Sequence, residues 1–69
     1  MIGAFVYAWR VRRRVRALRK QKLEHMENFL ALQEVGAIDI AHSNMAAAEK
    51  LARRIERLTG EPELLWQHS

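Results

Sequence analysis

Read at about 100° per residue, Val11, Val15, Leu18, Met26, Phe29, Leu30, Ala37, Ile40 and Ala41 fall on one stripe, the mark of a helix with one buried face. Lys22 and Gln33 interrupt this stripe without displacing it. No stretch alternates polar and apolar for long enough to form a strand. Ala, Leu, Arg, Glu, Lys and Gln dominate the remainder, and all favour helix. A second apolar face, Ala48, Leu51, Ala52, Ile55 and Leu58, predicts a helix over about 45–59. Gly60 suits the left-handed residue that follows a helix, and Pro62 lies just beyond it. Glu49 with Arg53, and Arg53 with Glu56, add pairs at helical spacing.

Two turns compete. Ser43 and Asn44 are good capping residues, and the stripe runs straight through Gly36, so the break is placed at His42-Ser43-Asn44. The alternative hairpin has Gly36 as the left-handed residue, Ile38 as its hydrophobic partner and Asp39 as the next N-cap. Either version is all-α: a helical hairpin with a long N-terminal helix and a shorter antiparallel second helix. In both, the second helix is too short to cover the basic segment. The chain divides into an apolar tip with a basic helical arm (1–22), the hairpin (23–60) and a C-terminal docking tail (61–69).

The first nine residues carry no charged side chain. On a helix Ile2, Phe5, Val6 and Trp9 lie roughly opposite Val11, Val15 and Leu18, while Ala4, Tyr7 and Ala8 continue the main stripe. A helix end apolar on all sides calls for something to surround it. Nine residues rise only ~14 Å against a bilayer core of ~30 Å, too little for a span. The charges follow the apolar run, the reverse of a secretory signal.

Charge sharpens this division. The net +4 is the difference between two opposed halves. Arg10, Arg12, Arg13, Arg14, Arg16, Arg19, Lys20 and Lys22 meet no acid within residues 1–22, which therefore carry +8. The remainder holds Lys50, Arg53, Arg54 and Arg57 against all eight acids and carries −4. Such asymmetry points to a basic arm meeting a polyanion, or to self-association of opposite ends. In the tail, Pro62 can open a short helical turn, and Leu64, Leu65 and Trp66 need a surface, either their own hairpin or a partner.

Size limits what the chain does alone. A chain of 69 residues and 8.1 kDa buries only ~60% of its extended surface. It has no cysteine, which removes disulfides and Cys-based zinc sites. Association with copies or partners is the expected source of stability, so an oligomer is expected. His25, His42 and His68 have no metal-binding spacing, and His25 among Glu24 and Glu27 reads as a solvated side chain. Ser43 has no Gly-flanked elbow, and no Gly-rich phosphate loop is present. Two helices also enclose no pocket of ~300 Å³. No enzyme activity, cofactor, metal or small-molecule substrate is expected.

The expectation is therefore a small interaction protein, an intracellular accessory or structural subunit, free or peripheral to a membrane or large assembly. Ile2, Phe5, Val6 and Trp9 insert, the arm grips an acidic protein or an anionic membrane, and Leu64, Leu65 and Trp66 anchor. The alternative is sequence-independent nucleic-acid binding. Eight cations suit phosphates, whereas residues 10–20 offer few side chains able to read bases.

Overall fold

In the computed structural model, which describes residues 2–65 and side chains from Val6 to Leu65, two helices pack against each other. Helix α1 runs Ile2–Glu34 and helix α2 runs Ile38–Thr59. Among the described residues there is no strand. The rod measures 53 × 16 × 15 Å, and its long axis is set by the 33 residues of α1, at ~1.5 Å each.

The turn lies at Gly36, not at Ser43-Asn44. Gly36 has φ +82°. Its N–H donates to the Gln33 carbonyl at 3.2 Å, and the Ala37 N–H donates to the Leu32 carbonyl at 2.9 Å. These two bonds form a Schellman motif, which satisfies carbonyls that the end of α1 leaves open. Helix α2 starts from Ala37 with no side-chain cap, and Asp39 sits in its first turn rather than at its N-cap. There its carboxylate complements the positive end of the helix dipole. Ser43 and Asn44 turn inward on their own helix. Ser43 Oγ donates to the Asp39 carbonyl (3.3 Å) and Asn44 Nδ2 to the Ile40 carbonyl (3.0 Å). The polar side chains that suggest a cap can equally bond back four residues inside a helix. The early turn also corrects the stripe. Ile40 is 58% exposed and Leu30 48% exposed, whereas Ala41 is fully buried.

A Cβ at residue 36 would meet nothing within 4 Å, so Gly36→Ala is resisted by backbone conformation alone. The expected loss is about 1 kcal/mol, or roughly 5 °C in a thermal melt followed by circular dichroism. Gly36→Asn should lose less, since Asn tolerates the left-handed region.

The core is thin and asymmetric. Helix α1 contributes Val15, Leu18 and Met26. Helix α2 contributes Ala41, Ala48, Ala52 and Ile55. Positions 41, 48 and 55 recur every seven residues, a coiled-coil seam built mostly from alanine, and small side chains let the two backbones approach closely. Ile55 packs with Val15 and Leu18, flanked by Val11, Leu51 and Leu58. At its far end α2 stops as expected. Gly60 is left-handed (φ 73°, ψ 13°) and donates its N–H to the Glu56 carbonyl at 2.8 Å.

Candidate docking surface

Because Val11 and Leu58 both pack against the cluster of Val15, Leu18 and Ile55, α2 reaches further along α1 than a helix starting near residue 45 would. The overhang is therefore the apolar tip with Arg10, while the arm from Val11 onward lies alongside α2 and the tail. This corrects the expectation that the whole basic segment projects freely. On the tip, Val6 is exposed, Tyr7 is 71% exposed and Trp9 is 53% exposed. The Arg13 guanidinium sits 5.4 Å from the Trp9 ring centroid, a cation–π contact one helical turn along. The side chains of Ile2 and Phe5, and all of Trp66, lie outside the described residues.

The eight cations of the arm divide into two groups. Arg10, Arg12, Arg13, Arg14, Arg16 and Lys20 are exposed. Arg19 and Lys22 face inward and hold the tail. Lys22 is fully buried, and its Nζ donates to Glu63 Oε2 and to the Leu64 carbonyl. Arg19 is half-buried and grips the same carboxylate with both arms of its guanidinium, Nε at 3.2 Å and Nη2 at 3.0 Å. The Glu63 N–H in turn donates to Glu56 Oε2 at 3.0 Å. Burial alone pushes the Glu63 carboxyl upward, but hydrogen bonds from Arg19 and Lys22, with their charge, outweigh it and hold it below the usual carboxylate range. The same hydrogen bond to Glu63 raises Arg19, against a smaller desolvation effect.

The tail thus folds back through Glu63, a residue the sequence reading passed over. Leu64 stays 68% exposed and Leu65 is half-buried. A signal was present: Lys22 stands alone inside an apolar stripe, and a lysine at a buried position requires an acid. His25, read as solvated, is half-buried, with Nδ1 2.9 Å from Asn44 Oδ1 across the helix pair.

An open groove runs along one flank of α1. Val11, Val15 and Leu23 supply its apolar surface, Arg12 and Arg16 line it, and Thr59 of α2 closes one side. Among the described residues no group of His, Asp or Glu is placed to hold a metal ion. Among the described residues no helix is long and apolar enough to cross a membrane. In class the protein is an all-α helical hairpin with a projecting apolar end. No protein-family model, curated protein or solved structure matches the chain.

Proposed function

We propose that the chain is a non-enzymatic interaction protein, an accessory subunit that docks the N-terminal third of α1 onto an anionic surface. The headgroup layer of an anionic membrane fits this geometry best. The observation that carries this reading is the exposed tip, with Val6, Tyr7 and Trp9 within one or two helical turns of Arg10, Arg12, Arg13 and Arg14. Tyr and Trp combine an apolar body with a polar edge and settle at headgroup depth. Neighbouring arginines add about 1 kcal/mol each on anionic lipid. An apolar tip of this length lies in an interface and does not cross it.

The test uses the full chain carrying Trp66→Phe, so that fluorescence reports Trp9 alone. Phosphatidylserine-containing vesicles are expected to shift Trp9 emission to the blue, with affinity falling as salt rises. Val6→Glu should weaken binding roughly twentyfold, since an apolar side chain and its burial are lost. Salt-sensitive binding with no blue shift would assign the arginines to an acidic protein face instead. No binding even at low salt overturns the reading.

The same six exposed cations support a second reading, sequence-independent binding of nucleic acid. In that case a mobility-shift titration with duplex DNA weakens steeply as salt rises.

A further inference from the structure

The exposed flank of α1 is basic toward its N-terminal end and acidic toward the turn. Arg12 and Arg16 stand toward its N-terminal end, Leu23 at the middle, and Glu27, Leu30 and Glu34 toward the turn. At 100° per residue these six side chains share one flank, turned away from the core line of Val15 and Leu18. Leu30 is 48% exposed between two acids, while the half-buried Leu23 surfaces in a groove lined by Arg12 and Arg16. A large apolar side chain flanked by acids, and an apolar groove flanked by arginines, are complementary and occur on the same helix.

We infer that this flank binds a second copy of the chain, with the two α1 helices antiparallel and crossing at Leu23. The spacing matches. Leu30 and Arg16 each lie seven residues from Leu23, about 10 Å along the axis, and Glu34 and Arg12 each lie eleven, about 16 Å. A two-fold axis at Leu23 therefore seats Leu30 of one copy beside Arg16 of the other and pairs Glu34 with Arg12, twice over. That is the self-complementary pattern of an isologous dimer. Parallel helices in register would set arginine against arginine and glutamate against glutamate, so charge also selects the direction. The tip of Val6 and Trp9 lies beyond the Arg12–Glu34 pair along the helix; Arg12 serves both proposals, and a measurement without lipid tests the dimer apart from membrane docking.

Light scattering on the full chain without lipid tests the inference. A mass of twice 8.1 kDa at ~100 μM chain is expected, a concentration at which an interface with a Kd near 10 μM is mostly formed. Arg12→Glu and Glu34→Arg should each weaken the dimer about tenfold, because each replaces two attractive contacts with two repulsive ones. The double variant Arg12→Glu/Glu34→Arg restores both pairs and should recover most of the wild-type affinity. Both positions are exposed, and unchanged helicity by circular dichroism will show that the fold is intact. A monomer at that concentration overturns the inference and leaves the groove to a different partner. So does a double variant at least as weak as the singles, since a dimer formed elsewhere would gain nothing from the swap.

Discussion

Glu63→Ala is expected to cost about 3 kcal/mol of folding stability, because it leaves the Lys22 ammonium buried without its carboxylate. Lys22 has no exposed surface, and the Glu63 side chain is almost fully enclosed with it. The Leu64 carbonyl remains as an acceptor, but a carbonyl does not neutralise a charge. Chains of this size are stable by roughly 3–10 kcal/mol, so this is a large fraction, equivalent to a fall of about 15 °C in Tm. The converse variant should behave differently. Lys22→Met removes the buried charge and keeps the stem's packing, while Glu63 retains Arg19, which is partly open to water. Its expected change is within ~1 kcal/mol of wild type. Urea unfolding of the two variants and their double separates the cost of removing the carboxylate alone from the value of the pair. Equal losses for the two single variants would contradict this account. The sign with pH follows from the lowered carboxyl of Glu63. Its contribution is complete above the unfolded value near ~4.3 and is lost as pH falls through the lower folded value. The wild type should therefore lose stability on acidification in a way that Glu63→Ala does not share.

How far the residues announced this arrangement depends on whether a signal was local. Two helices, their antiparallel order, the left-handed Gly60 and the apolar face of α2 follow from periodicity and from one glycine, both local properties. The turn was less legible. Ser43 and Asn44 carry a capping signal as strong as any in the chain, yet the same oxygens and amides bond to carbonyls four residues back when the helix continues. Gly36 won because its positive φ closes two backbone hydrogen bonds that no side chain could replace. The apolar stripe that seemed to exclude a break there continues by coincidence of phase: Ile40 shares the angle but points to water. The arm shows the other limit. Eight cations with no nearby acid look alike in composition, and what removes Arg19 and Lys22 from the group is Glu63, more than forty residues away. Only the position of Lys22 inside an apolar stripe hinted at that separation. The exposed tip was legible as a chemical oddity that overhangs with either turn, and how much of the basic arm projects with it depended on where the turn fell.

Ile55→Ala is expected to cost about 3 kcal/mol, comparable to the loss of Glu63 but by a different route. The other residues that α2 buries are alanines, and Ile55 is its one large buried side chain, with no exposed surface. It fills the space between Val15 and Leu18, and Val11, Leu51 and Leu58 close over it. Truncation removes the transfer energy of the lost carbons and leaves a cavity that two helices joined by a short turn can only partly collapse. Ile55→Val, which removes one methylene, should cost about 1 kcal/mol. Thermal unfolding of the three proteins gives the series, and a loss under ~1 kcal/mol for alanine would mean that the pair closes readily and the seam is looser than drawn. The same variant also bears on function. The tip projects from α1 beyond the reach of α2, so its docking should depend on α1 being helical and little on the hairpin being closed. An amphipathic basic helix gains its order from the surface it lies on. Ile55→Ala should therefore lose most of its stability in solution while keeping the Trp9 blue shift on anionic vesicles. Loss of both together would instead make the closed hairpin a requirement for presenting the tip.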